Sequence, residues 1–236
     1  MMNSPDVAGY VSTKVRDIRR LAPDVLCVSL SVPPGFLWEP GQHVAVTDQA
    51  GGRRSYYSIA SAHGPVSDLE LAVHEPSIKW SGPVEVGRTL LVSAPSGGPS
   101  TEHLHAASEL VLVGMGTGVA PLRPIVQTLV GTSKQARSGG PHVTLLQGAR
   151  DLSRCIFFDE FNKLAGPRFN YLPVLSQPQP SDGWSGVVGR VQAHVGRVPV
   201  LDARYCICGK LAMVSEVAGL LLNQGVSPEH IFSEGY

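Results

Sequence analysis

The first hundred residues consist of short apolar runs separated by proline and glycine. This pattern predicts a small antiparallel β-barrel rather than alternating strands and helices. Turn signals such as Pro33-Pro34-Gly35, Pro40-Gly41 and Ser81-Gly82-Pro83 separate the runs. The predicted strands are Val7–Arg19, Val25–Val32, His43–Thr47, Ser55–Ala60, Leu69–His74 and Thr89–Ser93.

From Glu109 onward, continuous apolar runs alternate with helix-length segments, which predicts a parallel sheet. We expect strands at Leu110–Val113, Val143–Gln147, Phe169–Val174, Tyr205–Cys208 and His230–Ser233, and helices ending near Val130 and spanning Ile156–Leu164 and Leu211–Asn223. The stretch Pro95–Ala107 lacks apolar periodicity and reads as a linker, while Lys134–Pro141 and Gln177–Gly186 read as loops.

The change of pattern along the sequence therefore predicts two domains. Residues 1–104 form an N-terminal antiparallel β-barrel of the Greek-key type. Residues 105–236 form a C-terminal α/β Rossmann-like domain with a five-stranded parallel sheet.

Composition narrows the partners and the compartment. Lys and Arg number 19 and Asp and Glu also number 19, so no global field favours nucleic acid or an anionic membrane. The N-terminus lacks a basic region followed by an apolar core, and no apolar run reaches the length of a membrane span. We expect a soluble intracellular protein, such as a cytoplasmic one, and a monomer. The four cysteines read as reduced thiols, and Cys206-Ile207-Cys208 lacks the further ligands of a metal site, so we expect no metal.

A buried strand, Leu110–Val113, delivers the glycines of Gly114-Met115-Gly116-Thr117-Gly118 to the start of a helix that includes Pro121. Such a turn lets backbone N–H groups approach a diphosphate without Cβ obstruction. The spacing is G-x-G-x-G rather than the G-x-G-x-x-G dinucleotide motif. A purely structural turn would leave the same pattern.

The run Arg53-Arg54-Ser55-Tyr56-Tyr57-Ser58 places two arginines, two aromatic rings and a hydroxyl on one strand. Arginine offers bidentate contacts to phosphate, and a tyrosine ring can lie against a flat heterocycle. The run therefore favours a flavin nucleotide. An edge strand with aromatic pairs and exposed charge is the alternative.

The third candidate segment is the strand Tyr205–Cys208, which leads through Gly209 into a helix. Ligands bind at the carboxyl ends of parallel strands, so Cys208 and Gly209 should face the crevice of Gly116–Gly118. A buried, inert thiol is the alternative for Cys208. The chain ends at Ser233-Glu234-Gly235-Tyr236, for which a frayed terminus is the alternative to a docked one.

Taken in this order, the segments resemble the ferredoxin–NADP reductase superfamily of FAD-binding oxidoreductases, which includes the cytochrome b5 reductases. Its R-x-Y-S motif resembles Tyr57-Ser58-Ile59-Ala60-Ser61, its G-T-G-x-A-P loop resembles Gly116–Pro121, and its C-G-x-x-x-M motif resembles Cys208-Gly209 through Met213. Trp38–Val44 is similar to its P-G-Q-x-V strand entry, and Gln147–Arg150 to its G-A-R segment. Within the superfamily, the stretch Leu172–Ser176 together with Gly186–Val191 most resembles a plant fruit protein of unknown role.

The resemblance implies that a hydride passes from NAD(P)H to bound FAD, and that electrons then leave to a separate acceptor such as a small redox protein. It assigns Ser58 to the flavin N5, Tyr57 to one isoalloxazine face, Tyr236 to the opposite face and Cys208 to nicotinamide C4. Glu234 would position the nicotinamide or relay a proton. The residues expected to contact cofactors are Arg54, Tyr56, Tyr57, Ser58, Ile59, Ala60, Ser61, Gly97, Gly98, Gly116, Thr117, Gly118, Pro121, Arg150, Cys208, Gly209, Met213 and Tyr236.

Two departures from the family pattern leave the choice between FAD and FMN open, and the choice of nicotinamide coenzyme is open as well. Ser55 occupies the place of the diphosphate-binding arginine, and Arg54 stands one residue upstream, where strand alternation would aim it at the opposite face. The family's G-x-x-S/T phosphate turn is not evident between Glu75 and Val86, so Gly97-Gly98 could supply amides instead, and FMN could replace FAD. Arg150 and Arg154 are candidates for the 2′-phosphate of NADP, but NAD fits the sequence as well.

Three functions are candidates for a chain with these segments. A flavin-dependent NAD(P)H oxidoreductase accounts for all three segments. A non-catalytic nucleotide-binding protein with the reductase fold would explain the displaced arginine and the shortened phosphate turn. A plain Rossmann dehydrogenase is disfavoured because the β-rich half precedes the glycine turn and no acid–base pair is apparent.

Overall fold

The computed structural model describes residues 9–49, 52–62, 68–106, 108–131, 140–198 and 201–236. Its N-terminal half is a six-stranded antiparallel sheet in the order β4-β3-β6-β1-β2-β5. The strands are β1 (Tyr10–Ala22), β2 (Val25–Ser31), β3 (His43–Thr47), β4 (Ser55–Ser58), β5 (Leu69–His74) and β6 (Thr89–Ser93). Residues 7 and 8 of the first predicted strand lie outside the described ranges.

The two outer strands of this sheet meet. Ile59, just after β4, pairs with Leu71 of β5, and the Ala60 N–H donates to the Glu70 carbonyl at 2.7 Å. This contact brings the sheet round on itself, which agrees with the predicted barrel. Alternate side chains of β2, β3, β4 and β5 then fill one interior, which includes Leu30, Val44, Tyr57, Leu71 and Trp80.

The C-terminal half is a parallel sheet in the order β10-β9-β8-β7-β11-β12. Its elements are β7 (Glu109–Met115), α2 (Leu122–Val130), β8 (His142–Ala149), α3 (Phe158–Leu164), β9 (Phe169–Leu175), β10 (Val187–Val188), β11 (Arg204–Gly209), α4 (Leu211–Asn223) and β12 (Ile231–Gly235). The strand order reverses beside β7, the strand that delivers the glycine turn. An open α/β sheet binds ligands at such a switch point.

Three elements differ from the sequence-based expectation. The sheet has a sixth strand, β10, whose two residues are too few to form a hydrophobic run. A short helix, α1 (Thr101–His105), lies in the predicted linker, where the Ser100 side chain accepts a hydrogen bond from the His103 N–H at 3.0 Å. The segment Val191–Arg197 forms 3₁₀ turns that no pattern indicated. Most of the predicted loop Lys134–Pro141 lies outside the described ranges.

The two domains share a packed interface. One apolar cluster combines barrel residues such as Ala60 and Ala72 with Ile125 of α2 and Phe161 of α3. A joint core of this kind fixes the position of the barrel strands relative to the parallel sheet.

A buried arginine crosses this interface. Arg123 of α2 is 8% exposed, and its guanidinium donates to the Ala60 carbonyl at 2.7 Å and to the Glu70 carboxylate on the barrel. On its own domain it donates to both Glu160 oxygens, at 3.0 and 2.8 Å, and lies 4.5 Å from the Phe157 ring centroid. Arg123 therefore ties the end of β4 to the helix that follows the glycine turn.

Among the described residues, no helix combines the length and the apolar character needed to span a bilayer.

Candidate active site

A cavity of about 840 Å³ lies between the two domains. On the barrel side it is lined by β4, by the outward face of β5 and by the segment after β5. On the other side it is lined by the carboxyl ends of β7, β8 and β12. The lining includes Tyr56, Ser58, Ala72, His74, Lys79, Gly116, Thr117, Arg150, Glu234 and Tyr236.

All four residues of β4 border the cavity, but their side chains alternate between buried and more exposed positions. Tyr57 is 6% exposed, and its ring packs edge-on against Trp80 at a centroid distance of 5.5 Å. Tyr56 is 66% exposed and borders the cavity, with Ser58 two residues further along the same face. Both tyrosines border the cavity, but Tyr56 has the more exposed ring, whereas burial raises the pKa of Tyr57 above its usual range.

The remaining β4 candidates lie around this face. Arg54 is exposed and lies over the Tyr10 ring, 5.4 Å from its centroid, rather than in the cavity lining. Ile59 is buried in the barrel interior, and Ala60 is buried at the domain interface. The Ser61 hydroxyl donates to the Asp68 carbonyl at 3.1 Å, which leaves it a structural contact in this arrangement.

A histidine and a glutamate meet in the cavity from opposite domains. His43 of β3 pairs with Ser58 in the sheet register, and its Nδ1 lies 3.3 Å from Glu234 Oε1 of β12. Its other ring nitrogen lies 3.3 Å from the Ser96 hydroxyl, which fixes the ring. Glu234 therefore stands close to the Ser58 strand across the domain interface, although its contact with His43 Nδ1 lacks hydrogen-bond geometry.

The glycine turn follows β7 and faces the same cavity. Gly116 and Thr117 line it, whereas Gly118 packs against the end of β11. A side chain on Gly118 would collide with the backbone carbonyl of Cys208, so glycine is required for this close approach. Pro121 stands at the start of α2. The turn thus brings β7 and β11 together at the switch point.

Cys208 is buried beside the cavity rather than exposed in it. Its side chain belongs to the apolar cluster at the domain interface and is absent from the cavity lining. Burial, together with the nearby Glu234 carboxylate, raises the pKa of Cys208 to about 12. Gly209 follows with its backbone close to the buried Met213, which supports this end of β11.

The C-terminal residues are docked rather than frayed. β12 pairs with β11 along its length, and the Tyr236 N–H donates to the Gly209 carbonyl at 3.1 Å. The Tyr236 hydroxyl shares a hydrogen bond with the Thr117 hydroxyl at 2.7 Å, while the side chain remains 60% exposed. The last side chain of the chain thus lies directly over the glycine turn.

Cationic groups also border the cavity. Arg150, Lys79 and Lys210 line it without an ion pair or a side-chain hydrogen bond among the described residues. Arg154 also lines it, but donates to both Asp24 oxygens at 3.0 and 2.9 Å, across the domain interface. Partial burial alone would raise the pKa of Asp24, but these contacts with Arg154 hold that pKa below its usual range.

Two further candidates, Gly97 and Gly98, pack behind the cavity. Gly97 contacts the His43 ring, and Gly98 approaches the backbone of Gly41. Both lie outside the cavity lining. Within the described ranges, no group of three His, Cys, Asp or Glu side chains is arranged to hold a metal ion.

Sequence reasoning missed three residues that the fold brings to the site or its interface. His43 stood inside the P-G-Q-x-V segment, and a β3–β4 hairpin would have placed it near Ser58. Lys79 lies between Glu75 and Val86, where the sequence indicated only a shortened phosphate turn. Arg123 follows the glycine turn by a few residues, but nothing in its surroundings signalled a partner on the other domain.

Comparison with known proteins gives the family. Residues 112–219 match the oxidoreductase NAD-binding domain. The chain is 34% identical over 238 residues to a ferredoxin–NADP reductase B of Sorangium cellulosum, with 93% of this chain and 94% of that protein covered. It is 32% identical over 136 residues to a component of the Na⁺-translocating NADH-quinone reductase of Methylococcus capsulatus; this match covers 54% of the chain and 32% of that component.

Solved structures agree with this assignment. A ferredoxin–NADP⁺ reductase from Neisseria gonorrhoeae, solved with bound FAD and NADP, superposes with a TM-score of 0.81, at 21% identity, over 97% of this chain and 99% of that one. At this identity the match supports the fold. The near full-length relative shows the family: the chain belongs to the ferredoxin–NADP reductase family.

Proposed function

We propose that this chain oxidises NAD(P)H through FAD held in the interdomain cavity and passes the electrons to a separate acceptor. The observation that carries the proposal is the shared cavity. It joins the Tyr56–Ser58 face of the barrel to the Gly116–Thr117 turn of the α/β domain. A flavin on the first and a nicotinamide on the second would lie within contact of each other, which hydride transfer requires.

The residues present fit a flavin. The exposed Tyr56 ring offers a face to a flat heterocycle, and Ala72 gives β5 a small side chain beside it. Unpaired cations border the cavity at Arg150 and Lys79, where the phosphates of a nucleotide would be favoured. FMN satisfies the same arrangement, because neither Arg54 nor the Gly97-Gly98 pair reaches the cavity.

Bound flavin would supply the chemistry of accepting two electrons at once and releasing them singly. The residues of the chain would position the reacting rings and carry a proton. Ser58 presents its hydroxyl to the cavity beside His43, and the His43–Glu234 pair forms a route for a proton across the interface. Tyr236 covers the Gly116–Thr117 turn and must move aside before a nicotinamide can lie there.

Cys208 takes a passive part in this proposal. Its raised pKa keeps the thiol protonated at neutral pH, so it acts as a compact neutral neighbour of the nicotinamide site rather than as a nucleophile. Its backbone sets the position of Gly118.

The names of the relatives support proposals for the acceptor and the coenzyme. The Sorangium protein is named for ferredoxin and NADP, and the Methylococcus protein for NADH and quinone. We propose a small redox protein as the acceptor and a monomeric reductase. Arg150 is the cation placed to select NADPH through its 2′-phosphate.

Purified protein tests the proposal. We expect a yellow protein that releases a fluorescent flavin on denaturation and reduces ferricyanide with NADPH or NADH. A colourless protein that takes up neither FAD nor FMN would favour the alternative, a nucleotide-binding protein without turnover. The stacking of Arg54 on Tyr10, away from the cavity, is the observation that supports this alternative.

A further inference from the structure

The segment after β5 presents two side chains to the cavity and two to the barrel. Ile78 and Trp80 pack in the barrel interior, while Ser77 and Lys79 line the cavity. The Ser77 hydroxyl donates to the His74 carbonyl at 2.8 Å, which ties the start of the segment to β5. Lys79 is therefore held at the cavity by apolar neighbours on both sides of it in sequence.

The same packing relates Lys79 to Tyr56. The Trp80 ring lies against the inward ring of Tyr57, at 5.5 Å between centroids. Because neighbouring residues of an extended chain point to opposite faces, Tyr56 and Lys79 both face outward from this contact. An aromatic platform and a cation thus border one cavity at positions fixed by a single buried ring pair.

The charges around the cavity distinguish Lys79 from the other cations. Among the described barrel residues that line the cavity, Lys79 is the only lysine or arginine. The histidines His43 and His74 lie near Glu234 and Asp24 respectively. Lys79 has no hydrogen bond or ion pair in the part of the chain that the structure describes, and it is exposed. Its charge is free for a ligand.

The position usually held by an arginine is neutral here. Ser55 lies buried in β4, and Arg54 is engaged by Tyr10 on the outer surface. A nucleotide whose flat ring lies on Tyr56 would therefore meet no arginine from β4.

We propose that Lys79 binds the phosphate next to the ribityl chain of the flavin, in place of an arginine on β4. This inference rests on the proposed function, because it needs a flavin on Tyr56. A lysine ammonium offers three donors to phosphate oxygens but no planar bidentate fork, so it tolerates FMN and FAD alike.

The same ammonium could meet a phosphate of the nicotinamide coenzyme, which is chemically similar. Lys79 belongs to the barrel, however, whereas the glycine turn and Arg150 belong to the other domain. The phosphate of the flavin is therefore favoured over that of the coenzyme as the ligand of Lys79. The experiment distinguishes the two.

The test is a titration of flavin-free protein with riboflavin, FMN and FAD, followed by quenching of flavin fluorescence. Riboflavin has the ring and the ribityl chain but no phosphate. In K79M we expect FMN and FAD to bind on the order of tenfold more weakly, and riboflavin to bind as in the unaltered protein. K79R should restore most of the loss. K14M, which removes an exposed lysine of β1 outside the cavity, is the matched control and should change nothing.

Each other outcome overturns the assignment in a distinct way. Equal weakening of all three flavins would mean that Lys79 shapes the site rather than binding phosphate. If K79M binds all three flavins normally but binds 2′,5′-ADP more weakly, Lys79 contacts a phosphate of the nicotinamide coenzyme instead. If the unaltered protein binds none of the three flavins, the proposed function itself fails, whatever the variants do.

Discussion

Adjacent tyrosines of β4 differ strongly in exposure, and we propose that the more exposed one, Tyr56, serves the flavin. Tyr57 is enclosed with Trp80 in the barrel, while Tyr56 is open to the cavity. The family resemblance implies Tyr57 for one flavin face, and Tyr57 does border the cavity. Its ring is nevertheless largely buried, because Ser55, Tyr57 and Ile59 are the buried positions of a strand whose register depends on the pairing of β4 with β3.

The first prediction separates these two rings. Tyr57→Ala should lower the free energy of unfolding by about 3–5 kcal/mol, since it leaves a large cavity against Trp80. Tyr56→Ala should change it by less than about 1 kcal/mol but weaken flavin binding. Urea unfolding of the flavin-free variants and a flavin titration measure both effects. A stable Tyr57→Ala that loses flavin, beside a Tyr56→Ala that keeps it, would return the flavin face to Tyr57.

The second prediction concerns Tyr236, which shares a hydrogen bond with Thr117 above the glycine turn. Tyr236→Ser removes the ring and should lower KM for the nicotinamide coenzyme and alter the preference between NADH and NADPH. Tyr236→Phe keeps the ring and should change KM much less. Steady-state kinetics with both coenzymes provide the measurement, and kinetics of Tyr236→Ser equal to those of the unaltered protein would count against the role.

Among the secondary-structure elements, several short strands and helix α4 were predicted well, whereas the longest strand, β1, begins and ends three residues later than expected. Strands β3, β5 and β6 have the expected bounds, as does α4. The sequence pattern missed β10 and the 3₁₀ turns at Val191–Arg197, whose few residues carry no period. Which elements meet across the cavity could not be read from local pattern, because it depends on how the barrel docks on α2 and α3.

The third prediction tests that docking at Arg123. Arg123→Met leaves Glu70 and Glu160 without their shared partner at the interface, and removal of one member of a buried ion pair costs about 3 kcal/mol or more. The free energy of unfolding, measured with urea, should fall by that order.

A matched control exists for this substitution. Arg19 also contacts Glu70, at 2.8 Å, but its side chain is 43% exposed, against 9% for that of Arg123. Arg19→Met should therefore cost less than about 1 kcal/mol. Equal losses in the two variants would show that Arg123 is not a special link between the domains.

At the scale of the whole molecule, the four cysteines are all buried and unpaired. Burial raises the pKa of Cys27 and of Cys155 to about 11 and that of Cys208 to about 12, from an ordinary value of 9.0, and it also raises the pKa of Cys206. The expectation of reduced thiols from sequence matches this arrangement, although the spacing alone could not say that all four side chains point inward.

The fourth prediction follows from these shifts. Below the ordinary pKa the thiols are neutral in both states, so their contribution to stability is complete. Above it the unfolded chain ionises first, and stability should fall as pH rises towards the folded values, by up to about 1.4 kcal/mol per pH unit for each thiol. Urea unfolding at about pH 8 and pH 10 measures the slope. Cys27→Ala should reduce it, and a slope unaffected by that substitution would argue against the raised pKa.

The central claim is that one cavity brings a nicotinamide against a flavin. Its most direct test is anaerobic mixing of the FAD-loaded protein with NADPH or NADH while the visible flavin band is followed. We expect one equivalent of coenzyme to bleach one equivalent of flavin, and the colour to return when an electron acceptor is added. A flavin band that persists in the presence of excess of either coenzyme would contradict it.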